Sequence, residues 1–212
     1  MARGSDSLTP GVDATDVIAA RDLVLAFMRP LATRDWTSPI PDLEWDCEVT
    51  LRHMIRAQTI YAAHLATRST KRLQLSREVD PGLSIEALLD NLYAQISVLA
   101  AVLRDAPPEA RGWHNSGMTD PGGFSAISCD ELLVHTWDIG RGFGESFELP
   151  GDICGRVVAR LFPQWPPIDA DPRHAFLWCN GRIALADRPR QSGDWLWWSR
   201  PLEEWNGSFP DE

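Results

Sequence analysis

The 212-residue sequence predicts a mainly α protein: a four-helix bundle with a long crossover and a short, Trp-rich C-terminal β-hairpin extension. Three observations carry that expectation. Apolar residues recur at helical spacing in four long segments. A stretch of weak periodicity, 69–82, separates the second of these from the third. Beyond residue 162 the pattern shifts toward short apolar runs around an Asn-Gly pair, the signature of a two-residue hairpin turn.

The first helix starts near Asp13 or Thr15, carries Val17, Ile18, Leu23, Val24, Phe27 and Met28, and kinks or ends at Pro30. The polar dozen residues before it read as a frayed terminus, and 35–41 as a connecting loop. A second helix follows Trp45, with Asp46 as N-cap, and runs through Val49, His53, Ala57, Ile60 and His64. At 100° per residue these five positions form one stripe, taken as the buried one. The crossover 69–82 has some extended character around Leu73 and Leu75. The third helix is capped by Ser84, keeps Ile85, Leu88, Leu89, Leu92, Ile96, Leu99 and Leu103 at helical spacing, and ends before Pro107-Pro108.

A loop holding Trp113, Gly117 and Pro121 leads to the fourth helix, 124–141, which Gly140, Gly142 and Gly144 stop. A short helix, 152–162, and a Pro-rich linker, 163–172, come next. The expected hairpin pairs 175–179 with 182–185 across Asn180-Gly181, and 194–199 supplies a third strand. The domain reading is a helical bundle over 13–162 and a Pro/Trp-rich extension over 163–212.

An apolar content of 44% predicts a packed core, and a net charge of −10 argues against nucleic acid as a partner. No continuous apolar run reaches the roughly 18 residues of a membrane span, so no membrane partner is expected. Cys47, Cys129, Cys154 and Cys179 form no CxxC pair, which suits reduced thiols in a cytoplasmic protein. Six of the ten tryptophans lie from Trp165 onward, concentrated in the tail.

The chemistry is carried by Glu131 and His135, one helical turn apart in an apolar segment and sharing a face with Phe124, Ile127, Val134 and Asp138. Two such groups in a core need partners, and a divalent metal satisfies both. A buried hydrogen-bonded pair would satisfy them equally. His53 on helix two is the natural third ligand, although no spacing rule joins it to the others. Two imidazoles and a carboxylate with one open position make a catalytic zinc set. His64, about 16 Å farther along helix two, cannot reach the same ion. His114 and His174 read as surface residues, and Asp138 as either an orienting acceptor for His135 or a helix-end cap. Gly140–Gly144 follow a helix rather than a strand, which excludes a dinucleotide loop. Cys129 faces away from Glu131 and is no nucleophile.

The same residues carry a family resemblance. The segments 43–53 and 120–138 resemble the DinB-like bundle family, in the branch similar to the N-terminal domain of mycothiol-dependent maleylpyruvate isomerase. In that branch a tryptophan precedes helix two, a histidine follows eight residues later, and Glu-x-x-x-His on helix four completes a metal site. Trp45, His53, Glu131 and His135 match position by position. Val49 stands where the family often has an acid, and the tail is shorter than the C-terminal domain expected of the isomerase. The resemblance implies metal ligation by His53, Glu131 and His135, with Zn2+ or a similar divalent ion, and mycothiol as cosubstrate. The implied activity is a thiol S-transferase or isomerase-like enzyme, with a small electrophilic molecule and a low-molecular-weight thiol as partners and a homodimer as one possible assembly. A metal-dependent hydrolase and a non-catalytic, metal-binding stress-response bundle are the alternatives.

Overall fold

Four polar side chains start the four long helices. Asp13 caps α1 (Ala14–Met28) in a reciprocal capping box with Asp16, and a 3-10 turn at Arg29–Leu31 follows where Pro30 ends the α-helical pattern. Asp46 caps α2 (Cys47–Thr67), Ser84 caps α3 (Ile85–Asp105), and Asp120 caps α4 (Pro121–Phe143), each contributing about 1 kcal/mol. The computed structural model describes residues 11–75, 82–193 and 196–209. Residues 1–10, most of the terminus read as frayed, and 76–81 of the crossover lie outside them.

Packing places the helices in the order α1, α3, α2, α4 around the bundle, so α1 and α2 lie diagonally opposite. The buried face of α3 carries Leu88, Leu89, Leu92, Ile96, Leu99 and Leu103 against α1 and α2. By length and mean hydropathy α3 could cross a membrane, which a search for continuous apolar runs misses. α4 is central: every residue from Gly123 to Val134 is buried, because α1, α2 and α5 (Gly151–Leu161) all pack on it.

Several expectations change. The buried face of α2 is centred on Leu51, Met54, Gln58, Tyr61 and Leu65, not on the stripe through His53; that stripe is the flank of the face, and Val49 on it is exposed. α4 begins at Pro121, three residues early, because Pro suits the first helical position. Only Gly144 stops α4, with φ 69°; Gly140 and Gly142 lie inside it. A Cβ on Gly142 would lie 2.5 Å from Cys47 Sγ, so its role is to admit the start of α2. The loop before α4 contains a hairpin, β1 (Gly112–His114) with β2 (Gly117–Thr119), turning through Asn115-Ser116, with Gly117 opening β2 at φ 123°.

The tail departs most. In place of the first hairpin strand there is a helix, α6 (Pro172–Cys179), capped by Asp171. Asn180-Gly181 closes that helix: Gly181, φ 66°, donates to Trp178 O and Arg182 N–H donates to Leu177 O, a Schellman motif. Ala175 to Cys179 are all buried, and a short run that is apolar on every side reads equally well as strand or helix until packing decides. Of the expected third strand, 196–199 is irregular and 194–195 lies outside the described residues.

Segment 196–209 runs back over the start of α4. Trp198 N–H donates to Leu161 O at 2.8 Å, and Thr119 Oγ1 to Ser199 Oγ at 2.7 Å. Buried Arg160 pairs with Asp120 and donates to the carbonyls of Trp198 and Ser199. This approach requires glycine at 123, where a Cβ would stand 2.2 Å from Ser199 O. Gly123→Ala is therefore expected to cost about 1–3 kcal/mol in urea denaturation and to speed proteolysis within 196–209.

Candidate metal centre

α2 and α4 pack face to face, and their facing side chains bring His53 to Glu131. Glu131 Oε2 lies 3.0 Å from His53 Nε2 and 3.0 Å from His135 Nε2. His53, Glu131 and His135 each offer one ligand atom within 4.8 Å of the others. The structure thus brings together the three residues the sequence singled out. The position of His53 on the flank of the buried face leaves its side chain 22% exposed, so the cluster opens toward solvent from that side.

Each group around the cluster is held in place. Tyr61 Oη donates to Glu131 Oε1 at 3.1 Å, which leaves Oε2 as the oxygen both imidazoles share. His135 Nδ1 lies 3.3 Å from Asp138 Oδ2, and fully buried Asp138 also receives two bonds from Arg182, at 2.7 and 3.2 Å. Asp138 is thus the orienting acceptor behind His135. Trp45, fixed by Ile40 N–H donating to its carbonyl, lays its ring against His53, centroids 4.9 Å apart, and 6.2 Å from His135. At 40% exposure Trp45 is a partial cover, not a seal.

Charge follows this geometry. Burial opposes ionisation of Glu131, but the hydrogen bonds from His135 and His53 outweigh it and hold the carboxyl well below its usual range. Burial likewise disfavours charge on His135, and its bonds to Asp138 and Glu131 outweigh that, raising it to about 9. For Asp138 burial raises the pKa while the bonds from His135 and Arg182 lower it further. Tyr61 is pushed well above its ordinary value by burial and then by the charge of Glu131.

The donor set fits a divalent cation. Two imidazole nitrogens and one carboxylate oxygen converge, the other carboxylate oxygen is already satisfied, and a carboxylate backs one histidine as in carboxylate–histidine–metal triads. Without an ion the three groups satisfy one another as a buried hydrogen-bonded cluster.

The remaining histidines divide. His64 is buried and accepts from Leu73 N–H at 3.1 Å, pinning the start of the crossover to α2. His174 is exposed, as expected. His114 is not a surface residue: it is buried between Tyr61, Phe124 and Trp197, because the β1–β2 hairpin turns it inward. Sequence reasoning missed Tyr61 as well, although its place two turns beyond His53 on α2 was a usable signal. Arg182, 44 residues from its partner Asp138, left none.

Ser116 N–H donates to His114 Nδ1 at 3.2 Å, and burial pushes His114 down to about 4. A histidine lowered in the folded state takes up its proton more readily when unfolded, so stability is lost as pH falls from 6.5 toward about 4. In urea denaturation, His114→Phe should lose up to about 3 kcal/mol less than wild type between pH 7 and about pH 4.

Compared with known proteins, residues 17–140 match the family described as mycothiol maleylpyruvate isomerase N-terminal domain. The match spans α1 to the last turn of α4 and includes all three cluster residues. No curated protein matches the chain, and neither does any solved structure.

Proposed function

Because the chain belongs to the mycothiol maleylpyruvate isomerase N-terminal domain family, a mycothiol-related, metal-associated group, we propose that it is a divalent-metal-dependent enzyme transferring a low-molecular-weight thiol to a small electrophile. Zinc is the proposed metal and a mycothiol-type thiol the proposed cosubstrate. The observation that carries this reading is the convergence of His53, Glu131 and His135 on one point that solvent reaches from the His53 side.

His53 Nε2, Glu131 Oε2 and His135 Nε2 are the atoms that would hold the cation. A divalent cation there supplies acidification of a thiol at neutral pH. The residues around it do the rest. Asp138, anchored by Arg182, keeps the proton of His135 on Nδ1 and turns Nε2 toward Glu131. Trp45, itself 40% exposed, covers part of the outer edge of the imidazoles, its ring against His53 and farther from His135.

The chain's own sulfurs are unsuited to the reaction. All four cysteines are free and buried, and burial pushes Cys47 up to about 11 and Cys154 and Cys179 up to about 12. The nucleophilic sulfur therefore comes from outside in this proposal. A second reading, a metal-free structural cluster, is favoured by one observation: the three groups already satisfy one another at 3.0 Å.

Metal content of protein purified without chelator tests the proposal. Wild type should carry about one divalent ion per chain, and His135→Ala should lose it at matched folding. Thiol consumption with a model electrophile should then fall at least tenfold in the variant. Metal-free wild type would favour the structural cluster, equal metal in the two proteins would exclude the site, and metal without thiol turnover would leave a metal-binding bundle without catalysis.

A further inference from the structure

We infer that Tyr61 is a positioning residue that fixes which oxygen of Glu131 is offered to the metal; this rests on the metal-centre reading above. The two carboxylate oxygens have different partners. Oε2 faces both imidazoles at 3.0 Å, whereas Oε1 accepts from Tyr61 Oη at 3.1 Å. Glu131 is buried, so an Oε1 without that bond would be an unsatisfied charged oxygen away from water. The carboxylate would then be free to turn Oε1 toward the imidazoles and change the ligand geometry.

The tyrosine is itself held. Its ring lies on the buried face of α2 at 5% exposure, packed 5.8 Å from His114 and 5.9 Å from Phe124. His114 comes from the β1–β2 hairpin and lies 6.1 Å from Trp197 in segment 196–209. Elements outside the two ligand-bearing helices thus set the phenol, and the phenol sets the carboxylate. Val49, one turn before His53, is exposed and apolar, so that side chain offers Glu131 no hydrogen bond.

Two measurements test this. Zinc affinity of folded apoprotein, by competition with a chromophoric chelator, should fall about ten- to a hundredfold in Tyr61→Phe, which keeps the ring and removes only the hydroxyl. A purely structural tyrosine would lower thermal stability and leave that affinity unchanged. Should Tyr61→Phe fold poorly, fluorotyrosine labelling of the wild type decides, because the chain has just two tyrosines, Tyr61 and Tyr93. Zinc should shift the fluorine resonance of Tyr61 and leave that of Tyr93, exposed on α3, in place. Wild type that takes up no zinc overturns the metal-centre reading itself. Wild type that binds zinc while Tyr61→Phe binds equally well, or while the Tyr61 resonance stays unmoved, overturns this inference alone.

Discussion

A carboxylate buried at the centre of a helical bundle is the constraint around which the rest is arranged. Glu131 sits on α4, the helix packed on most sides, and removing its charge from water costs several kcal/mol unless partners compensate. The compensation comes from both directions: two imidazoles on one oxygen and a phenol on the other. Each partner in turn needs holding, and the holding extends outward through Asp138 to Arg182 and through Tyr61 to His114.

This arrangement explains why the C-terminal fifty residues are more than an appendage. Arg182 follows the Schellman end of α6 and neutralises Asp138; Asn180 donates to buried Asp130 at 2.9 Å, beside Glu131. Burial raises Asp130 to about 7 even with that bond. Segment 196–209, clamped by Arg160, carries Trp197 onto His114. Two polar links and one aromatic contact therefore tie the tail to the surroundings of the cluster, although the family match ends at residue 140.

The partly exposed position of His53 has the opposite effect and matters as much. Had the buried face of α2 been centred on His53, the cluster would have been closed inside the bundle. Because that face is centred on Leu51, Met54, Gln58, Tyr61 and Leu65, the imidazole lies where core meets solvent, with Trp45 as a partial cover. One element thus supplies a ligand candidate at its edge and a buried support, Tyr61, within its core face.

Local chemistry made much of this legible in the amino-acid order. Asp46 and Ser84 mark helix starts because a short polar side chain satisfies orphan N–H groups wherever it stands, and the i, i+4 spacing of Glu131 and His135 follows from helix pitch alone. Only tertiary packing could decide what depends on distant partners. The Asn180-Gly181 pair serves a helix end as readily as a hairpin, and burial of 175–179 on every side selected the helix. His114 turned inward because the hairpin and the tail closed over it, and Arg182 met Asp138 across 44 positions with no periodicity to announce it. Caps and periods act over one or two turns, so sequence determined them; the docking of α4, the hairpin and the tail sums many weak contacts between remote residues, so the assembled structure decided it.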